Sequence, residues 1–430
     1  MRPRDTADAN PLTAEIIAVG SELLLGDGVD TNSAWLSGRL VALGIDVRRH
    51  TSVGDDDADL VTAISRAVDE HDLVIITGGL GPTQDDVTRA AVARAAGVGL
   101  ERRDDLADGI RRFWAERGRD VPPRDLVQAD VPVGAVVLTP VGTAPGFTLD
   151  IGGALVVCLP GVPGEMRVMT DAQVLRLLQR RGGLQATVTR VVRTAGAAES
   201  AVAHRCAALA ERLDDARDLQ LSFLAAGGEV QVRVTARATD RAAAEALAAP
   251  IIDELVAVLG PWVVGLDDQG AEHLIARHMR EHGWTLSVAE SITGGGVGAR
   301  LVTVPGASDW FAGGVIVYAT QVKSLLAGVP HRLLDDQGPV SEDIAGALAA
   351  GVRHRLDTDV GLAVVGVAGP TTQGGREVGT VCLGVVLADG TRHTRTVALP
   401  ALARADVQRR SVTVALDLLR RRLARAAVAS

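Results

Sequence analysis

Lysine, tyrosine and aromatic residues in general are scarce in this sequence. Lysine and tyrosine each occur once in 430 residues, as Lys323 and Tyr318, and only 2% of the chain is aromatic. The core is therefore expected to be aliphatic. Every other basic side chain is arginine, whose guanidinium stays charged at any working pH. The solitary lysine therefore indicates a task that arginine cannot do, such as proton transfer.

The cysteines are few and widely separated. Cys158, Cys206 and Cys382 form no CxxC pair, so neither a disulfide framework nor a zinc site is indicated. No run of about 20 apolar residues is present, and the polar start MRPRDTADAN lacks the apolar core of a signal peptide. We therefore expect a cytoplasmic protein without membrane contact. The net charge of −9 argues against non-specific nucleic-acid binding, which needs a basic face.

Strands and helices alternate through the first part of the chain. Three predicted apolar strands and two predicted helices follow one another between residues 15 and 77. This alternation is typical of βαβ units and a parallel sheet. The pattern changes near residue 180, where a smaller α+β module without an evident catalytic constellation begins. The predicted organisation is a disordered tail at 1–13, a domain at 14–179, the module at 180–262 and a last domain at 268–430.

A glycine-rich loop, TGGLGPTQDDVT, follows the third predicted strand. Glycines after a buried strand let the backbone turn sharply, and the following helix offers free N–H groups to a phosphate. Asp85 and Asp86 add carboxylates of the kind that bind a hard cation. The same residues also suit an ordinary strand-to-helix turn with acidic residues at its favourable end. Both interpretations stay open, whereas the glycine spacing of an ordinary Rossmann site is absent.

The segment from Ser287 to Lys323 carries the chemistry expected of the last domain. Ser291 lies in a turn rich in serine, threonine and glycine, and Tyr318 and Lys323 stand five residues apart. A serine needs an adjacent base before it attacks a carbonyl, and a neutral lysine is one such base. A surface lysine beside a core tyrosine would give the same pattern by chance. A dehydrogenase-like pair fits less well, because it uses a four-residue helical spacing.

Seven segments of the chain resemble the CinA family of competence and damage-inducible proteins. They are VGSELLLGDGVDTNSAWL, TGGLGPTQDDVT, LPGVPGEM, AESITGG, VPGASDWFAGGVIVY, GPVSEDIA, and GVAGP followed by VGTV. The resemblance covers nearly the whole chain. It implies an α/β protein with three parts: a molybdopterin-binding-like domain with a parallel sheet, a small KH-like α+β module, and a C-terminal α/β nicotinamide-nucleotide amidase domain.

The amidase resemblance implies hydrolysis of the carboxamide of nicotinamide mononucleotide to nicotinate mononucleotide and ammonia, without a cofactor. Ser291 matches the family nucleophile, with Lys323 as its base and Tyr318 relaying or positioning the proton. N–H groups around Thr293 to Gly295 are expected to stabilise the oxyanion. The substrate-binding residues implied for this domain are Thr293, Gly294, Gly295, Ser308, Thr320 and Gly369. Ile292 and Thr320 stand where the family commonly has Cys and Asn.

For the first domain the resemblance implies a nucleotide or pterin-like ligand and metal-dependent cleavage of ADP-ribose to AMP and ribose 5-phosphate. A divalent ion (magnesium, manganese or cobalt), together with potassium in some members, would neutralise the diphosphate charge. Asp85 and Asp86 are the expected metal ligands. The implied ligand contacts are Ser21, Glu22, Asp30, Asn32, Gly78, Gly79, Gly81 and Thr83. Asn32 either contacts the ligand or caps a helix.

Two other functions stay open at this point. In the first, only the N-terminal domain is active, as a nucleotide pyrophosphatase. In the second, the chain is a non-enzymatic nucleotide sensor linked to competence and recombination. Small-molecule nucleotides are the expected partners in each case, and the resemblance suggests a homo-oligomer.

Overall fold

The computed structural model describes residues 12–181, 185–216, 218–400 and 402–429. Most of the predicted tail lies outside these residues, but Leu12 is buried and Thr13 begins the first strand, so ordered structure starts earlier than expected. The chain folds into two compact units. One comprises residues 1–188 and 237–245, and the other comprises residues 189–236 and 246–430.

The N-terminal domain is built on a six-stranded sheet with the order β2-β1-β3-β8-β7-β6. Its elements are β1 (Thr13–Val19), α1 (Ser21–Leu25), α2 (Thr31–Ala42), β2 (Asp46–Val53), α3 (Asp57–Glu70), β3 (Leu73–Thr77), α4 (Thr88–Ala95), β4 (Leu100–Arg102), α5 (Asp104–Ala115), β5 (Asp130–Pro132), β6 (Val136–Leu138), β7 (Gly146–Ile151), β8 (Ala154–Leu159), α6 (Pro163–Met169) and α7 (Leu175–Arg181). The first four strands of that order are parallel to one another. Strand β7 is antiparallel to β8, and β6 is antiparallel to β7.

Apolar strands buried on both faces place the loops of this domain. Every residue of β3 and of β8 is buried, as expected for parallel strands covered by helices on both sides. Because β1, β3 and β8 run in parallel, the loops that follow them begin at the same edge of the sheet. The glycine-rich loop after β3 therefore begins beside Gly20 and Pro160, and a cavity opens there.

The middle module is a four-stranded sheet with the order β10-β11-β9-β12 and helices α8, α9 and α10. Its elements are β9 (Ala186–Ala195), α8 (Glu199–Arg205), α9 (Ala207–Leu213), β10 (Leu219–Ala226), β11 (Glu229–Ala238), α10 (Arg241–Leu259) and β12 (Val263–Leu266). Helices α8 and α9 are separated by a break at Cys206. Strand β10 was not predicted, although Leu219, Leu221 and Phe223 alternate with polar residues in its sequence, and none of its residues is buried.

The C-terminal domain is built on a five-stranded sheet with the order β14-β13-β15-β16-β17. Its elements are α11 (Ala271–His282), β13 (Leu286–Glu290), α12 (Gly296–Leu301), β14 (Phe311–Ile316), α13 (Thr320–Ala327), α14 (His331–Gln337), α15 (Glu342–Arg355), β15 (Val360–Gly366), β16 (Thr380–Val386), β17 (Arg392–Ala398) and α16 (Arg404–Ala429). Strands β14, β13 and β15 are parallel, and β16 and β17 are antiparallel to their neighbours.

The two faces of this sheet carry separate aliphatic cores. Helices α11, α12 and α16 pack on one face, and α13, α14 and α15 pack on the other. Trp310 is the one aromatic side chain among the fully buried residues of these two clusters, as the composition predicts. Each fully buried leucine contributes about 2 kcal/mol from the removal of its surface from water.

The starts of helices α15 and α13 are defined by local contacts, and α13 was not predicted from the sequence. Ser341 caps α15, since its hydroxyl accepts a hydrogen bond from the N–H of Ile344 at 3.2 Å. Strand β14 ends at Ile316, before Tyr318, and a short helix, α13, begins at Thr320. Lys323 therefore lies in the first turn of a helix. None of the described helices is both long and apolar enough to cross a membrane.

Candidate active site

Ser291 lies where β13 ends, at the carboxyl edge of the C-terminal sheet. All five residues of β13 are buried, and the Ser291 N–H donates to the Val364 carbonyl of β15 at 3.0 Å. Gly294 and Gly295 follow with φ angles of 61° and 105°, which non-glycine residues rarely adopt. The chain thereby turns sharply into α12, and Ser291, which is 8% exposed, is held at the base of a cavity.

The amine of Lys323 contacts the hydroxyl of Ser291. Its Nζ lies 3.2 Å from Ser291 Oγ, 2.7 Å from the Val317 carbonyl and 3.5 Å from the Tyr318 carbonyl. A neutral amine has two N–H groups and one lone pair, so the two carbonyls can accept both N–H groups while the lone pair faces the hydroxyl proton. The residue pair predicted from the sequence is therefore brought together in the geometry of a base and its nucleophile.

Burial sets the protonation state of Lys323. The side chain is 2% exposed, and this desolvation lowers the pKa of Lys323 from 10.5 to about 8. Burial disfavours the charged form of an amine because the surroundings solvate it less well than water does. At pH 7 about one molecule in ten thus carries a neutral lysine, and the neutral form predominates above pH 8.

Tyr318 occupies a different place from the one expected of a proton relay. Its side chain is 58% exposed, and its hydroxyl accepts a hydrogen bond from Arg404. Among the described residues, the Tyr318 hydroxyl has no hydrogen bond to Lys323 or Ser291, and only its main-chain carbonyl approaches the amine. The structure therefore places the ring at the wall of the cavity, where it can contact a substrate.

Glu290 organises the glycine turn, a role that the sequence analysis missed. Its buried carboxylate accepts hydrogen bonds from the Thr293 hydroxyl at 2.6 Å and from three N–H groups at 2.8 to 3.1 Å. The three N–H groups belong to Gly295, Val297 and Gly298. A charged residue at the end of an otherwise apolar strand was the available signal, because a buried carboxylate must find donors.

These bonds change the expected source of the oxyanion donors. The Gly295 N–H is taken by Glu290, and the Gly294 N–H donates to the Ser291 carbonyl at 3.2 Å. Within the described part of the chain, the N–H groups of Ile292 and Thr293 have no recorded acceptor. The residue directly after the nucleophile is a common oxyanion donor in hydrolases. The available donors are therefore Ile292 and Thr293.

The cavity above Ser291 has a volume of about 220 Å³. Gly369 lines it as expected, and so do Thr371, Thr372 and the guanidinium-bearing Arg404. Arg404 was not predicted, because it lies at the start of α16, far along the sequence from Ser291. Thr320 is exposed and does not line the cavity. Ser308 precedes β14 at the amino edge of the sheet, opposite Ser291, so the structure does not bring it to this site.

The N-terminal domain has a second cavity, of about 450 Å³, at the carboxyl edge of its sheet. The predicted residues Glu22, Gly78, Gly79 and Gly81 line it. Five residues that line it carry carboxylates: Glu22, Asp55, Asp85, Asp86 and Glu165. Among the described residues, no lysine, arginine or histidine lines this cavity. Burial raises the pKa of Glu165 above its ordinary value. An anionic ligand here therefore needs a cation beside it.

The role of Asp86 differs from the predicted role of a metal ligand. Its carboxylate accepts from the Gly81 N–H at 2.7 Å and from the Thr83 N–H and hydroxyl at 2.7 and 2.6 Å. Asp86 therefore holds the glycine loop together, and Thr83 serves the same loop. Asp85 is exposed and free of such bonds. In the described ranges, neither aspartate belongs to a preformed group of three metal-ligating side chains.

The remaining predicted residues of this domain have mainly structural contacts. Asp30 caps α2 by accepting from the Ser33 N–H at 2.9 Å, and the Ser21 N–H donates to Asp55 at 2.9 Å. Asn32 is not the helix cap. Its amide nitrogen donates to the Thr77 hydroxyl and to the Gly161 carbonyl, which ties the loops after β3 and β8 together. Its buried Oδ1 has no partner in the described residues and can accept from a ligand.

Three protein-family profiles match the chain. "Probable molybdopterin binding domain" matches residues 15–180, "Damage-inducible protein CinA KH domain" matches 189–265, and "CinA C-terminal domain" matches 268–423. A CinA-like protein of Frankia casuarinae is 48% identical over 420 residues, which is 96% of each chain. A CinA-like protein of Parasynechococcus marenigrum is 40% identical over 415 residues, covering 95% of this chain and 98% of that protein.

Solved structures match part of the chain. A crystal structure of CinA "with unknown function" from Thermoplasma acidophilum is 37% identical, with a TM-score of 0.37, and covers 39% of this chain and 98% of its own. A competence-damaged protein (CinA) superfamily protein from Enterobacter cloacae is 28% identical, with a TM-score of 0.35. It covers 36% of this chain and 90% of its own.

Proposed function

The chain belongs to the CinA family, and from this premise we propose that its C-terminal domain is an amidohydrolase that converts nicotinamide mononucleotide to nicotinate mononucleotide and ammonia. The observation that carries the proposal is the contact of 3.2 Å between Lys323 Nζ and Ser291 Oγ at the base of a cavity. Because Lys323 is buried and has a lowered pKa, its neutral form can accept the serine proton.

The reaction proceeds in two halves. Lys323 takes the proton of Ser291, whose oxygen attacks the carboxamide carbon, and the resulting oxyanion receives hydrogen bonds from the Ile292 and Thr293 N–H groups. Lys323 then gives the proton to the departing nitrogen, so ammonia leaves and an ester to Ser291 remains. Water attacks this ester with Lys323 again as the base, which releases the carboxylate and restores the serine.

The rest of the cavity suits a nucleotide with a flat ring. Tyr318 offers a ring face for contact with the pyridine, and Arg404 offers a guanidinium that can pair with the phosphate. Arg404 also donates to the Gly369 carbonyl and to the Tyr318 hydroxyl, so its position is fixed before the substrate binds. Binding of the phosphate thus costs little additional ordering of this side chain.

The direct test is ammonia release from nicotinamide mononucleotide by the intact protein. The same assay with nicotinamide riboside, which lacks the phosphate, measures the contribution of Arg404. We expect turnover of the phosphorylated substrate and a much higher KM for the riboside. If no ammonia is released from the mononucleotide at any pH between 6 and 10, the proposed amidase function is refuted.

The pH dependence of this activity is set by Lys323. Since the base form of Lys323 is the active one, kcat/KM should rise about tenfold per pH unit below pH 8 and level off above it. At pH 7 only about one molecule in ten carries the neutral amine. The measurement is kcat/KM for ammonia release from pH 6 to 10, with circular dichroism at each pH as the folding control. A rise centred near pH 6.5 would instead point to a histidine.

We also propose that the N-terminal domain cleaves ADP-ribose to AMP and ribose 5-phosphate. The supporting observation is the cavity of about 450 Å³ that five carboxylates line at the carboxyl edge of the sheet. Oxygen ligands of this kind suit a divalent cation, and Asp85, Glu22 and Glu165 are the carboxylates left after Asp86 and Asp55 accept from loop N–H groups. A bound cation would neutralise diphosphate charge, and the unpartnered Asn32 Oδ1 can accept from the nucleotide.

Cleavage of ADP-ribose should therefore require a divalent metal and Asp85. We expect activity with magnesium, manganese or cobalt, tested with and without potassium, and a loss of at least about 100-fold in Asp85→Asn, because a metal ligand is removed. The matched control is Ser291→Ala, which should keep full ADP-ribose cleavage while losing ammonia release. Absence of cleavage under every metal condition would refute this second function.

A further inference from the structure

A third cavity lies in the unit that contains the C-terminal domain. Its volume is about 410 Å³, and it shares no lining residue with the cavity above Ser291. One wall is α16, another is formed by β16, β17 and Leu399, and the turns at Gly196 and Gly228 of the middle module close it. A volume of this size falls in the range of small-molecule sites.

The floor of this cavity is apolar. Leu383 of β16 and Leu418 of α16 are buried there, and Val397, Leu399 and Val414 continue the same surface. On α16 the lining positions Arg410, Val414, Asp417, Leu418 and Arg421 recur at intervals of three and four residues, so they lie on one helix face. On this face Asp417 and Leu418 are buried, whereas Arg410, Val414 and Arg421 are half-buried.

The rim of the cavity has arginines without partners. Arg421 is paired with Asp417 at 2.9 Å, and Asp417 is also contacted by Arg420. By contrast, the side chains of Arg395 and Arg410 have no hydrogen bond or ion pair with any described residue, although the chain carries 53 acidic residues against 44 basic ones. Two arginines with unpaired side chains therefore line a space in which Asp417, the one acid among the described lining residues, is already neutralised.

Neighbouring cations add to this positive field. The pKa of Arg422 lies below its ordinary value because burial disfavours its charge and because Arg425 and Arg395 repel it. The pKa of His393 is lowered by burial and by Arg422 and Arg425, while Asp389 opposes this effect, so this imidazole adds little positive charge itself. Mutual repulsion among these groups is relieved when an anion binds, so the arrangement favours a negatively charged ligand.

We propose that this cavity, between α16, β17 and the glycine turns of the middle module, binds a mononucleotide-sized organic phosphate. Arg395 and Arg410 bind the phosphate, because a guanidinium presents paired N–H donors that match phosphate oxygens. The apolar floor accepts a flat heteroaromatic ring. The binding proposal does not depend on the amidase reaction, since no residue of this cavity takes part in it.

The test is hydrogen exchange of the intact protein with AMP as the probe. We expect AMP at millimolar concentration to slow exchange at least about threefold in the peptides that contain Gly196, Gly228 and residues 395–399. Adenosine and inorganic phosphate, each supplying half of the ligand, should protect these peptides much less. The double variant Arg395→Gln and Arg410→Gln should lose the protection, whereas the Arg409→Gln control, on the same helix but outside the cavity, should keep it.

Three results would overturn the proposal. They are the absence of protection with AMP, equal protection in the double variant, and equal protection by inorganic phosphate alone, which would leave only a simple anion site. Sedimentation velocity adds a fourth arm. If these peptides are already protected without AMP in a dimer and become exposed in the monomer on dilution, a second copy of the chain covers the cavity and no nucleotide site exists.

Discussion

Lys323→Arg should abolish ammonia release from nicotinamide mononucleotide even though it keeps a positive charge. A guanidinium does not lose its proton at working pH, so it cannot accept the proton of Ser291. It is also too large for a site where the amine is 2% exposed and lies 2.7 Å from the Val317 carbonyl. We expect kcat/KM to fall by at least about 1,000-fold, the contribution of a general base together with loss of the nucleophile's position.

Two further variants separate chemistry from folding. Lys323→Met keeps the length of the side chain and removes the amine, so it should be equally inactive but fold at least as stably, because a costly buried amine is removed. Gln321→Arg places a guanidinium at an exposed position of the same helix and should leave activity unchanged. Activity of Lys323→Arg within tenfold of the parent, with the same pH profile, would rule out Lys323 as the base.

Ser291→Ala should have an effect of similar or greater size. Removal of the nucleophile leaves only binding and oxyanion stabilisation, and kcat should fall by about 10⁴-fold or more. The parent protein, quenched in acid during turnover, should show the added mass of the nicotinate mononucleotide ester on the peptide that contains Ser291. Intact-mass and peptide mass spectrometry measure this adduct.

Ser324→Ala is the matched control for that experiment. Ser324 follows Lys323 directly, and its hydroxyl contacts His331 at 3.2 Å instead of the cavity. It should keep both activity and the adduct at Ser291. A Ser291→Ala protein that still releases ammonia would mean that water is activated directly, and the covalent route would be abandoned.

The sequence predicted the parts of the site that depend on residue identity. The rarity of lysine and tyrosine singled out Lys323 and Tyr318, and the serine and glycine turn singled out Ser291. The paired Ser291 and Lys323 are found in contact because α13, the helix that was not predicted, starts soon after β14 ends and turns the amine back towards β13. A helix of only eight residues is difficult to predict from local sequence patterns.

What the sequence could not predict depends on contacts between distant segments. Arg404 reaches the cavity only because α16 packs back against the domain, and no local pattern encodes that placement. Glu290 and Asp86 were visible as acidic residues beside glycine turns, but acidic residues there serve equally well as ligands or as internal acceptors. Counting the N–H groups that each turn must satisfy decides between these roles, and that count requires coordinates.

The burial of the only lysine also determines how the protein responds to reagents that attack lysine side chains. Amine-selective labels that modify exposed lysines find no such side chain on the native surface, because Lys323 is 2% exposed. A lysine-specific endoprotease likewise has one peptide bond to cut in the whole chain, and it can reach that bond only when the start of α13 opens. The rate of this single cut therefore reports the local opening of the catalytic pocket, separate from unfolding elsewhere.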